Sequence, residues 1–154
     1  TILKQEIPEM LFLNLSFVGG DALQEALGEA ADGVIITQVV PSLDSDLPVV
    51  KEYLTALRQY APEREPDSVS LEGFIIAKIF HQGLVHIEGE ITKESIIDGI
   101  ESLHGVDVGL GLDIYYDQFE HQAIHQLWLT HLDFGQFRPF NWQMMRFNGV
   151  RGKE

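Results

Sequence analysis

The stretch Phe12-Leu13-Asn14-Leu15-Ser16-Phe17-Val18-Gly19-Gly20-Asp21-Ala22-Leu23 constrains the fold more than any other part of this chain. Its first half is an apolar run suited to a buried strand. Gly19 and Gly20 make a turn, and Asp21 stands where the next helix begins. A strand that feeds a helix through a tight glycine turn is the building unit of open α/β sheets. Such sheets bind ligands where the carboxyl ends of their strands meet these loops. Asp21 is therefore placed either to cap the helix or to hold a cationic group of a ligand. Ser16, Phe17, Gly19 and Gly20 line the same turn, and the glycines permit close backbone approach to a ligand. A plain tight turn, with Phe17 packed in the core, accounts for the same residues.

The hydrophobic period extends this unit along the chain. Residues 1–9 read as a polar lead-in and 10–18 as a strand. Residues 21–31 read as a helix, with Gln24 three positions after Asp21 as in a capping box. Leu23, Ala26, Leu27 and Ala30 form its apolar face. Gly28 weakens this helix, and Gly33 follows as its stop signal. The β-branched run Val34-Ile35-Ile36-Thr37-Gln38-Val39-Val40, bounded by Gly33 and Pro41, is the clearest strand. A polar loop carrying Asp44 and Asp46 follows. Pro48 opens a second helix with Val49, Val50, Tyr53, Leu54, Leu57 and Tyr60 at helical spacing. Residues 62–66 are a charged linker. The third helix runs from Ser70 to His81 or beyond. It is apolar on more than one side, which predicts that it is largely buried. Thr92 caps a fourth helix, with Ile96, Ile97, Ile100 and Leu103 on one face and Gly105 closing it. Residues 106–116 read as a strand, or a strand with a bulge. Residues 123–132 and 136–142 flank Asp133-Phe134-Gly135 as a β-hairpin. The last residues, 146–154, read as a frayed tail. The order is an α/β pattern with an antiparallel ending, but two parallel strands make a poor sheet.

Composition narrows the classes. The chain has 154 residues, 24 Asp and Glu against 10 Lys and Arg, a net charge of −14 and no cysteine. That balance opposes nucleic acids and anionic membrane surfaces, which need clustered basic side chains. Without cysteine there are no disulfides, thiolate zinc sites or thiol nucleophiles. No apolar run approaches the roughly 18 residues of a membrane span, and no signal-peptide pattern is visible. The six histidines raise a metal hypothesis at His121 and His125. Their i, i+4 spacing falls at the entrance to a predicted strand, which sets them roughly 13 Å apart, too far for one ion. Ser16, Ser42, Ser68 and Ser70 lie in no nucleophile-elbow sequence, and no carboxylate spacing singles out an acid–base pair. The chain is read as a non-enzyme without cofactor or metal.

The motifs together resemble one family. Asn14 to Leu23 is similar to a strand–turn–helix of type I periplasmic binding proteins, in the branched-chain amino acid and amide receptor group of ABC transporters. Val34 to Pro41 resembles the next strand of that group, and Leu47-Pro48-Val49-Val50-Lys51-Glu52-Tyr53 its next helix. Ser70-Leu71-Glu72-Gly73-Phe74-Ile75-Ile76-Ala77 looks like the long helix that crosses between lobes, and 92–103 like the helix after it. His121-Gln122, Leu127-Trp128-Leu129 and Asp133-Phe134-Gly135-Gln136-Phe137 look like the closing hairpin. The similarity covers roughly residues 9–142.

The resemblance implies an α/β fold that is a partial type I lobe, of strand–helix–strand–helix units with a C-terminal β-hairpin. Family members are more than twice as long, with two lobes closing on a ligand. The chain is therefore expected to be a fragment. Residues 9–105 would be part of the second lobe with the crossing helices, 106–142 the return segment with its hairpin, and 143–154 a tail. The implied function is the substrate-binding component of an ABC uptake system in the periplasm. It would bind a small amino acid or amide-like solute in an interlobe cleft and deliver it to a membrane permease. In amino-acid-binding members an acidic residue at the turn holds the ligand's ammonium group. Asp21 occupies that position, where members often carry Glu. Glu72 is a further ligand candidate, although its place in the first turn of its helix is explained by the helix dipole alone. Asp44 and Asp46 read as solvated loop residues. The alternatives are an extracytoplasmic ligand-sensing domain of a signalling protein, and a self-associating fragment forming a homo-oligomer through uncovered apolar faces.

Overall fold

The structure, a computed structural model, describes residues 2–7, 10–16 and 20–144, with the backbone alone described at Lys4, Met144 and positions 20–22. The chain divides into two units: Thr1–Val39 with Leu127–Glu154, and Val40–Gln126.

The first unit is built on the strand–helix–strand expected from the sequence. A short helix α1 (Ile2–Glu6) stands where a lead-in was predicted. Strand β1 (Leu13–Leu15) precedes helix α2 (Gly20–Leu27), a 3-10 turn (Gly28–Ala31) and strand β2 (Ile35–Gln38). The hairpin of β5 (Trp128–Asp133) and β6 (Gln136–Pro139) completes a four-stranded sheet in the order β1-β2-β5-β6. Strands β3 and β4 belong to the second unit. β1 and β2 are parallel, with Leu13, Asn14 and Leu15 beside Ile35, Ile36 and Thr37. β5 runs antiparallel to β2, with Ile36 opposite Thr130 and Gln38 opposite Trp128. Successive side chains alternate between faces, so one face carries Ile36, Gln38, Thr130 and Leu132. Ala31, Val34, Ile36 and Leu132 form the core there, with Phe12, Leu23 and Phe137 packed against it. On the other face Leu13 and Leu15 of β1 remain more than half exposed.

Two local expectations change. The predicted apolar face of α2 does not hold to Ala30, because Gly28 adopts a left-handed conformation (φ 54°) and the α-helix ends at Leu27. The tighter turn that follows shifts the phase. Ala31 becomes buried, and Leu27 turns outward at 38% exposure. The hairpin strand starts at Trp128, later than the expected Ala123. Its two-residue turn, Phe134 and Gly135, has φ of 47° and 75°. Two left-handed residues are what a tight hairpin matching the strand twist requires.

The second unit contains helices α3 (Pro48–Tyr60), α4 (Ser68–Val85) and α5 (Lys93–Glu101) and the hairpin of β3 (His104–Asp107) and β4 (Asp113–Tyr115). Pro48 takes the first helical position of α3, where its missing N–H costs nothing. Val49, Val50 and Tyr53 are buried. Asp67 caps α4 by accepting from the Ser70 N–H at 2.9 Å. The buried Tyr53 ties α3 to this cap through its hydroxyl, 2.6 Å from Ser70 Oγ. Thr92 and Ser95 form a reciprocal capping box on α5.

The expectation that α4 is largely buried holds for one stripe only. Leu71, Ile75, Ile79 and Gly83 are buried, whereas Val69, Ile76 and Phe80 are 70%, 58% and 43% exposed. α4 meets α5 where Gly83 faces Gly99. A Cβ added at Gly99 would stand 2.5 Å from the Gly83 carbonyl oxygen, so the two backbones touch. Gly105 does not close α5. The helix ends at Glu101, with Ser102 as its C-cap, and Gly105 supplies the irregularity in β3 between His104 and Val106. The predicted single strand over 106–116 is thereby a hairpin that turns through Gly109, Leu110 and Gly111.

Candidate functional site

The sequence-predicted site around Asp21 falls in the first unit, between the end of β1 at Leu15 and the start of α2 at Gly20. Ser16 directly follows β1 and is partly buried. Phe17 and Gly19 lie outside the described residues. Gly20 and Asp21 are the first two residues of α2, so Asp21 lies inside the first turn of the helix rather than in the flanking position expected of an N-cap. A carboxylate there still gains from the helix dipole. Gln24 does not serve as the capping-box partner. Its Nε2 lies where a Cβ on Gly135 would fall, 2.5 Å away, so its side chain reaches the hairpin turn.

The paired register of β1 and β2 ends at Leu15 beside Thr37. Gln38 ends β2, two positions after Ile36 on the face that carries the core. Thr130 lies on the same face and is 3% exposed. The Gln38 Nε2 donates to Thr130 Oγ1 at 3.5 Å, while the Gln38 Oε1 is buried and meets no donor. The neighbouring Thr37 hydroxyl is used structurally, donating to the Asn14 carbonyl at 3.3 Å. Sequence reasoning did not single out Gln38, since a glutamine near the end of a β-branched run carries no sign of its bond to Thr130.

Glu72 belongs to the second unit. Since α4 begins at Ser68, Glu72 is its fifth residue, and the first turn holds no acidic side chain. The helix-dipole account of Glu72 therefore fails, and Asp67 holds the cap. The Asp67 carboxyl is held below its ordinary value first by the hydrogen bond from the Ser70 N–H. Asp117 is likewise lowered, first by the Phe119 N–H and then by that of Glu120. These two N–H groups lie 2.7 and 2.9 Å from its Oδ1. Both shifts reflect structural turns and caps.

The histidines are spread among carboxylates. His121 Nε2 is 2.9 Å from Glu101 Oε1, and His125 Nε2 is 3.7 Å from Glu120 Oε2. Residues 121–127 form a loop, so the two do not stand at the entrance to a strand as predicted. Among the described residues no group of three His, Cys, Asp or Glu is placed to hold a metal. No described helix is long and apolar enough to cross a membrane.

A concavity of about 860 Å³ in the first unit is lined by Gln24, Glu25, Gly28, Glu29, Asp32, Phe134 and Gly135. It adjoins the turn of the β5–β6 hairpin. Since β5 is antiparallel to β2, that turn lies at the end of the sheet opposite Gln38. Neither Ser16 nor Glu72 is among the described residues that line it.

The sequence pattern of the family described as periplasmic binding protein matches residues 5–136. No curated protein matches the chain. Among solved structures, a possible leucine/isoleucine/valine-binding protein from Rhodopirellula baltica is 39% identical, with a TM-score of 0.83 over 92% of this chain and 38% of its own. An extracellular ligand-binding receptor from Verminephrobacter eiseniae is 21% identical, with a TM-score of 0.74 over 88% of this chain and 39% of its own. A branched chain amino acid ABC transporter from Thermus thermophilus, with bound valine, is 20% identical, with a TM-score of 0.65 over 91% of this chain and 40% of its own. The last two likenesses speak for the fold alone. The strand–helix units and closing hairpin expected from the sequence thus match part of a known lobe architecture. This chain spans about two-fifths of the length of those proteins.

Proposed function

From the premise that the chain belongs to the periplasmic binding protein family, we propose that it is part of the substrate-binding component of an ABC-type uptake system. The ligand is a small amino acid or amide-like solute. One observation carries this reading: the parallel β1–β2 pair, with α2 between its strands in the chain, lies within a segment that matches the family from residue 5 to residue 136. The printed description of the Rhodopirellula protein, leucine/isoleucine/valine binding, favours an aliphatic amino acid.

In this reading Asp21 is the countercharge to the solute's ammonium group, a charge-assisted bond worth about 1.5–3 kcal/mol. Gly19 and Gly20 let the backbone approach the solute, Ser16 and Phe17 line the same turn, and Glu72 is a further carboxylate contact. The remaining contacts come from parts of a two-lobed protein that this chain does not span. Lobe closure shifts an open–closed equilibrium by the binding energy, and the closed form delivers the solute to a membrane permease from the periplasm.

A thermal melt of the chain, alone and against a panel of amino acids and small amides, tests the proposal. A cooperative melt that rises with aliphatic amino acids is the expected result, since a ligand that binds only the folded state raises its stability. With Asp21→Asn that shift should vanish while the melt of the free chain stays nearly unchanged. A ligand shift that survives in the variant refutes the role of Asp21, while a cooperative melt without any shift means that binding needs the parts this chain does not span, and the same panel against the full-length parent then decides the ligand class.

A further inference from the structure

We draw no further inference here: the strongest candidate, the exposed apolar outer face of α4 with Val69, Ile76 and Phe80, is an unpartnered helix surface, and nothing in the structure shows what covers it.

Discussion

Replacing Gly99 with Ala should destabilise the second unit, and replacing Gly73 with Ala should stabilise it. Both glycines are helical, so the gain in helix propensity is about 1 kcal/mol in each case. They differ in what the new methyl group meets. At Gly73 nothing lies within 4 Å. At Gly99 the Cβ would stand 2.5 Å from the Gly83 carbonyl oxygen and 3.2 Å from Ile87 Cγ1. A carbon–oxygen contact needs roughly 3.3 Å, so α5 must retreat from α4 by roughly 0.8 Å. The obstacle is backbone and cannot rotate away. Overpacking of this kind costs about 1–3 kcal/mol. A net loss of up to about 2 kcal/mol follows for Gly99→Ala, against a gain of about 0.5–1 kcal/mol for Gly73→Ala. Urea unfolding of the chain followed by far-UV circular dichroism measures both, with the midpoint moving at constant slope. If both variants move in the same direction, helix propensity governs both sites, and the close approach of α4 and α5 is refuted.

Other consequences follow from the caps and turns. Asp67→Ala should cost about 1 kcal/mol through the lost cap, read by the same unfolding experiment. Because the folded pKa of Asp67 is lowered from 3.8, its contribution is fully present above that value. It is lost as the pH falls through the lowered one, so the unaltered chain and Asp67→Ala should converge in stability only in strong acid. A constant difference from neutral pH down to strong acid would exclude the carboxylate as the cap. Phe134 is 90% exposed and sits at φ 47°, so Phe134→Asn gives up little burial and relieves a conformation that asparagine tolerates. It should stabilise the hairpin by about 1 kcal/mol, and a lower melting temperature would show that Phe134 packs against something in solution. Ser95→Ala removes one half of the α5 capping box and should cost about 1 kcal/mol, read by the same unfolding experiment.

Much of this fold is legible in one dimension because its local signals are strong. The β-branched run at 34–40 becomes β2, Pro48 and Thr92 start helices where their chemistry predicts, and the glycine after Phe134 marks the hairpin. Errors arise where one residue type serves two ends. Gly105 reads as a helix stop, yet it is the irregular point of β3. The helix had already ended with Ser102, whose hydroxyl donates to the Gly99 carbonyl at 2.8 Å. Residues 123–127 read as strand, but the Gln122 side-chain amide donates to the Ile124 carbonyl at 3.1 Å instead. Such local bonds compete with a sheet ladder. Burial is harder still to read from sequence. Leu71 and Ile76 look alike in the helical pattern of α4, yet one is fully buried and the other 58% exposed. Only the position of α5 and the rest of the unit separates them.

The candidate site divides along the same line. The positions of Ser16, Gly20 and Asp21 between β1 and α2 could be read because a strand end and a helix start follow each other in the chain. Glu72 was placed by counting from a helix start set two residues late, at Ser70 instead of Ser68, so its supposed bond to the helix dipole disappears. Gln38 was hard to read for a different reason. Within β2 it is one polar side chain in an apolar run, and alternation alone marks it as a residue of one face. Its hydrogen-bond partner, Thr130, is 92 residues away in sequence, and only the antiparallel register of β2 and β5 brings the two together.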